Sequence, residues 1–409
     1  MSNMNSTQQS SRGGARRPSL TKAAAVALAF VAFASGQQAA MADARTQAKR
    51  MYDRLTGTTP APDLLTTLAG QVGGGTPTEL VNTAIFIMDK NAAHSNGFYN
   101  VTLKNFATPW TNRDQTVFAP LNDYTATVIG MVRDNADFRG VLSDDIVYIG
   151  NGTSPAYSTT SNAHYEELEN TNAPLRTALI PTTQSSLNGL PPNATAGIIT
   201  SRAAAEAFFI AGTNRAMFRF TLLNHLCRDM EQMHDTSRPP DRIRQDVTRS
   251  PGGDSSVFMN NCIGCHSGMD PMAQAFAYYN YDEVQKRLVY TPGTVQPKYF
   301  INADNFKPGY VTPDDRWDNR WRLPGHNTSV GWAQSLPGGG NGAKSLGQEL
   351  AASTAFAQCQ VEKVFRAICF RSPTNQSDFD QLDASTATFK NGGNLKQVFA
   401  ETAAHCAGN

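Results

Sequence analysis

Residues 253–271 read Gly-Asp-Ser-Ser-Val-Phe-Met-Asn-Asn-Cys-Ile-Gly-Cys-His-Ser-Gly-Met-Asp-Pro, and the reading of the whole chain turns on them. Inside lies Cys262-Ile263-Gly264-Cys265-His266, the C-x-x-C-H spacing by which a c-type haem is attached. Two thiols three residues apart reach the two vinyl groups of one haem. The next residue, His266, can turn its imidazole onto the iron. C-x-x-C alone also suits a redox dithiol or half of a zinc site. The histidine that follows directly, and the lack of a second cysteine pair at zinc spacing, favour haem. The motif occurs once, so one covalent haem c is expected. Upstream, Asp254 is placed to cap a helix whose Val257 and Phe258 pack behind the porphyrin edge.

His266 is expected to bind iron through Nε2, and its Nδ1–H then needs an acceptor. The Asp270 carboxylate, or a backbone carbonyl near Asp270-Pro271, stands close in sequence. The plainer reading of Asp270-Pro271 is a turn. The far side of the haem is open to several residues. No methionine follows Met272, so the usual downstream methionine is closed to this chain. Met269 and Met272 are tethered too near His266 to reach round. Downstream the candidates are His326, in Leu323-Pro-Gly-His-Asn327, and His405, and upstream His225, Met230, Met233 and His234; His326 ranks first, then Met233 or Met230, then His225. A lone histidine or methionine on an apolar helix face is more often core than ligand. A five-coordinate haem open to a small ligand is the other possibility.

The chain has 409 residues, which predicts two to three units and allows a sizeable core. Its formal net charge of +1 gives no support to a nucleic-acid partner. Arg12, Arg16, Arg17 and Lys22 precede the apolar run Ala23–Gly36, which falls short of the roughly 20 residues that span a bilayer. Ala40-Met41-Ala42 fits small-x-small, so residues 1–42 are expected to be a signal peptide cleaved after Ala42. A retained anchor is the alternative. The mature chain is then periplasmic or otherwise exported, with no integral membrane segment.

Export implies an oxidising compartment in which cysteines are paired or ligated. Cys227, Cys359, Cys369 and Cys406 remain after the haem takes two. Cys359 and Cys369 lie ten residues apart in what reads as one helix, roughly 15 Å at 1.5 Å per residue. A disulfide tolerates only about 7 Å between Cα atoms, so these two are not expected to pair. Cys359–Cys406 or Cys369–Cys406 would staple the C-terminal helices, leaving Cys227 to tie them to the haem region. All four as reduced core thiols is the alternative.

The expected fold class is mainly α, a helical c-type cytochrome core with long irregular loops and flanking helical modules. Helices are expected at Asp43–Thr56, from Thr76-Pro77-Thr78-Glu79 onward, at Asp123–Arg133, at Ser201–Ile210 and at Arg215–Met230. Ser345 opens a segment read as helical to about Phe370, and Asp378–Phe389 and Leu395–His405 follow. Residues 91–121 and 291–343 read as irregular. The regions are an N-terminal helical part (43–150), a loop-rich connector (151–198), a haem domain (199–343) and a C-terminal helical module (344–409).

The run from Cys262 through Met269-Asp270-Pro271 to Tyr281-Asp282 resembles the C-x-x-C-H…D-P…F-D signature of the planctomycete-type cytochrome domain families of unknown function. Asn214-Arg215-Ala216-Met217-Phe218 with Pro239-Pro240 is similar to the segment that precedes the haem motif there. Ser353-Thr-Ala-Phe-Ala-Gln-Cys359 through Arg371 is similar to the C-terminal module. Ala273 stands where the family has glycine. The resemblance covers about residues 195–409 well and implies an exported cytochrome, with no established reaction.

These readings favour an electron-transfer protein that exchanges electrons with a redox partner protein. The alternatives are a haem enzyme or gas-ligand sensor with an open distal site, and a haem-bearing interaction subunit of a larger exported complex.

Overall fold

Asp43 accepts a hydrogen bond from the Thr46 amide at 2.7 Å and starts helix α1 (Ala44–Thr56). Gly57 ends it at φ 68°, the left-handed conformation that glycine adopts without penalty. Helix α2 (Pro62–Val72) begins with proline in its first turn. At helix α3 (Pro77–Ile87) the Thr76 side chain accepts from the Glu79 amide. The Glu79 carboxylate in turn accepts from the Thr76 amide, a complete capping box. These local signals place three helix starts before any tertiary contact is considered.

The computed structural model describes residues 43–210, 212–244, 255–300 and 309–408. The expected signal peptide and the expected capping residue Asp254 lie outside the described residues. Helix α4 (Asp123–Arg133), capped by Asn122, is buried along its whole length. Helices α5 (Arg202–Phe208) and α6 (Arg215–Leu226) lead toward the motif. Helix α6 stops at Cys227, which adopts φ 52°, rather than running on to Met230. The motif sits on α7 (Ile263–Ala273). The segment expected as one helix to Phe370 is two, α8 (Gly342–Ala351) and α9 (Thr354–Cys369). Ser353 between them accepts from the Phe356 amide at 3.1 Å and starts the second. Helices α10 (Gln376–Gly392) and α11 (Leu395–Ala407) complete the chain.

The fold is mainly α, with short antiparallel strand pairs at its edges. β1 (Val147–Gly150) pairs with β2 (Leu179–Thr182), Val147 facing Thr182. β3 (Tyr279–Asp282) pairs with β4 (Arg287–Tyr290), and β5 (Arg316–Asp318) with β6 (Gly339–Asn341). The stretch 151–198 is more ordered than a connector. It holds β2 and the helix Ala163–Asn170, whose Tyr165 and Leu168 are buried. These elements are too short to show a sequence period, and burial against the rest of the chain orders them.

The last helix decides the architecture. α11 packs on α1, α3 and α9, so the C-terminus closes over the N-terminal helices. One apolar core runs from Ala48 to Ala407, and residues 42–409 form one unit. The four regions outlined from sequence are thus parts of one body rather than separately folded pieces. Among the described residues no helix is long and apolar enough to cross a membrane.

Candidate cofactor site

The motif enters on a helical turn, Ser255–Val257, then a π-turn, Phe258–Cys262, before α7 begins at Ile263. Phe258, Ile263 and Ile243 form a small apolar cluster against which Cys262 packs. Successive residues on α7 turn by about 100°, so Gly264 and Gly268 share one face and Cys265 and His266 point away from it. The glycine face is docked. The ring of His234 fills the space a β-carbon on Gly264 would need, and the indole of Trp321 does the same at Gly268. The Asp235 amide donates to the Gly264 carbonyl at 2.8 Å, and Ser267 Oγ donates to the Asp235 carbonyl at 3.3 Å. The helix is thereby held by its glycine side. Cys262, Cys265 and His266 keep partial exposure.

Cysteine pairing singles out the same two residues. Cys227 is bonded to Cys359, with Cα atoms 5.3 Å apart, and Cys369 to Cys406, at 5.7 Å. Of the two C-terminal staples expected, Cys369–Cys406 forms and Cys359–Cys406 does not. Cys227 ties the end of α6 to α9. Cys262 and Cys265 are free thiols. Cys265 Sγ donates to the Met230 carbonyl at 3.4 Å. Burial, and then Cys262, Glu231 and Asp229 nearby, push the Cys265 thiol up. Among the described residues no three His, Cys, Asp or Glu side chains converge as ligands of one metal ion do.

His266 Nδ1 lies 3.1 Å from both carboxylate oxygens of Asp270, one turn further along α7. With the Nδ1 proton donated to this carboxylate, Nε2 carries the lone pair. The ring meets Phe258 edge-on, centroids 5.6 Å apart. Asp270 and Pro271 lie inside the last turns of α7, so the expected turn at this point is helix instead. Asp270 is fully enclosed. Arg215 Nε approaches its Oδ1 at 3.2 Å, and Arg244 Nη2 approaches the same oxygen at 3.5 Å. Burial by itself raises the Asp270 pKa. His266 against it, and then the charges of Arg215 and Arg244, outweigh burial and hold the carboxyl well below the usual range.

The distal candidates separate. His225 belongs to the core: its Nε2 is 2.8 Å from the Tyr124 hydroxyl, and its ring lies edge-on to Trp110 and parallel to Phe356. Burial, and next the Lys363 charge, push its pKa well below the usual value. It is corrected from candidate ligand to core histidine, because helical spacing alone does not say which side of α6 faces the motif. Met230 adjoins Cys265 through its carbonyl. Met233 is buried, and its carbonyl accepts from Asn327 Nδ2 at 3.2 Å. His326 is half exposed, with Nδ1 3.9 Å from Asp235 Oδ2. Asp235 thus bridges it to the docked side of the motif.

Three residues of this site were not among the sequence candidates: Arg215, Arg244 and Trp321. Arg215 opens a block already singled out by its resemblance. No local signal marks Arg244 as a partner of Asp270, 26 residues on. Two clefts, of 550 and 540 Å³, are lined by residues such as Phe86 and Lys396, or Arg139 and Lys390, and do not include the motif.

The donor set suits a covalently held haem. Two unpaired thiols stand beside an imidazole whose Nδ1 is committed to Asp270, on a helix whose other face is anchored. Comparison with protein-family models, with curated proteins and with solved structures gives no match to this chain.

Proposed function

We propose that this chain is an exported c-type cytochrome that exchanges single electrons with a redox partner protein. Cys262 and Cys265 would hold one haem c by thioether bonds, with His266 Nε2 as an axial ligand. The observation that carries this reading is the selective pairing of cysteines. Four of the six form disulfides, and the two left free belong to the one C-x-x-C-H motif, beside a histidine whose Nδ1 is bound to Asp270.

When bound, haem c supplies a one-electron Fe(III)/Fe(II) couple. The chain's own residues prepare its place. Asp270 fixes the tautomer and ring orientation of His266, leaving Nε2 to bind. Phe258, Ile263 and Ile243 give an apolar wall beside Cys262. The docking of Gly264 and Gly268 on His234 and Trp321 keeps the helix from shifting as the ring is held.

The test is expression in a host that attaches haem after export, followed by a haem stain on a denaturing gel. The intact protein should retain the stain, and Cys262→Ala with Cys265→Ala should lose it. A protein that matures without covalent haem overturns the reading. Spectra of the reduced protein with and without carbon monoxide test electron transfer separately, and rapid carbon monoxide binding argues against a simple carrier.

A further inference from the structure

Asp270 is more heavily engaged than a simple orienting partner of a histidine requires. His266 spans both of its oxygens, while Arg215 and Arg244 both approach Oδ1. The arginines come from separate parts of the chain. Arg215 opens α6, and Arg244 follows the Pro239-Pro240 break. Arg244 is held in place: its Nη2 donates to Thr213 Oγ1 at 3.0 Å, and its guanidinium lies 4.9 Å from the centre of the Tyr299 ring.

We propose that Arg215 and Arg244 set the electron affinity of the centre by sharing the negative charge of the carboxylate that backs the axial histidine. This rests on the reading of Cys262–His266 as a haem-attachment site. A carboxylate that accepts the Nδ1 proton draws it outward and makes the imidazole a stronger donor through Nε2. A stronger donor, with a buried negative charge behind it, favours the oxidised metal. A guanidinium on the same carboxylate withdraws electron density from that hydrogen bond and places a positive charge nearby, which favours the reduced metal. Asp270 and the two arginines therefore pull the potential in opposite directions. In a buried site neither pull is screened as it is at the surface.

Opposite signs make the idea testable. Arg215 is the arginine to change, because its side chain is 21% exposed and Arg244 is enclosed. The experiment is a redox titration of the purified, haem-loaded full chain as Asp270→Asn, Arg215→Gln and Arg215→Lys, beside the unaltered protein. Asp270→Asn should raise the midpoint potential, and Arg215→Gln should lower it. Each is expected to change the Fe(III)/Fe(II) equilibrium about tenfold, 59 mV for one electron. Arg215→Lys keeps the charge and should return the potential most of the way to that of the unaltered protein.

Shifts of the same sign in Asp270→Asn and Arg215→Gln overturn the proposal, as does an unchanged potential in Arg215→Gln. If Asp270→Asn does not accumulate folded, the two Arg215 variants decide alone. A fall that lysine restores supports charge sharing, and equal potentials overturn it. Lack of covalent haem in the unaltered protein sinks the haem reading and this proposal together. Wrong-signed shifts in protein that keeps its haem sink only the role of the arginines.

Discussion

The indole of Trp321 occupies the space that a β-carbon on Gly268 would need, two residues beyond His266. Trp321 is fully buried and cannot swing aside. Gly268→Ala should therefore cost about 1–3 kcal/mol, the usual range for overpacking a filled site. At Gly264 the neighbour is the ring of His234, an exposed side chain with solvent beside it into which it can give way. Gly264→Ala should cost clearly less. Urea unfolding of the two variants measures the difference, and equal losses would show that the glycine face is not docked as described.

The two disulfides close loops of different length, with sequence separations of 132 and 37 residues. In the chain-entropy account the longer loop constrains the unfolded chain more, by about 1 kcal/mol between these two. Replacing Cys227 and Cys359 together by serine should lower stability more than replacing Cys369 and Cys406. Unfolding midpoints of the two double variants, measured side by side, check this; the reverse order would mean that native packing outweighs loop closure.

His225 makes stability depend on pH. Its ring is enclosed by Tyr124, Trp110 and Phe356, with Lys363 the cation nearest in effect, and its folded pKa lies well below the unfolded value of about 6.5. A depressed histidine is neutral in the fold and takes its proton in the unfolded chain. Its effect is therefore nil above about pH 6.5 and destabilising as pH falls below it, with a limiting slope of about 1.4 kcal/mol per pH unit. His225→Gln should flatten the unfolding midpoint between pH 6.5 and 5, a window above the titration of ordinary carboxylates. A slope that survives the substitution assigns the effect elsewhere.

The same variant bears on the far side of the proposed haem. His225 is committed to Tyr124 in the core, so His225→Gln should leave the visible spectrum of the loaded protein as it was. A change from low to high spin would return His225 to the list of ligands. His326→Ala tests the surface candidate by the same spectrum.

Much of the fold was legible because helix boundaries are local. Asp43 with Gly57, Thr76 with Glu79 and Asn122 with the Thr125 amide lie within a few residues of the backbone groups they satisfy. The break at Ser353 was missed although its capping chemistry is equally local, because the apolar pattern on either side runs on across it. The order in 151–198 was missed for another reason: its short helices and strand gain stability only from burial against partners distant in the chain.

By itself the sequence determined the C-x-x-C-H group, the number of such groups, the impossibility of a Cys359–Cys369 bond within one helix, and the mainly helical class. Each depends on neighbours within about ten residues, where spacing dictates geometry. Only the tertiary structure decided which face of α7 stays open, that Cys227 meets Cys359, that His225 is core, and that Arg215 and Arg244 converge on Asp270. Those facts depend on residues tens to more than a hundred positions apart. Their approach is set by how apolar faces close into one core, and no local pattern encodes it.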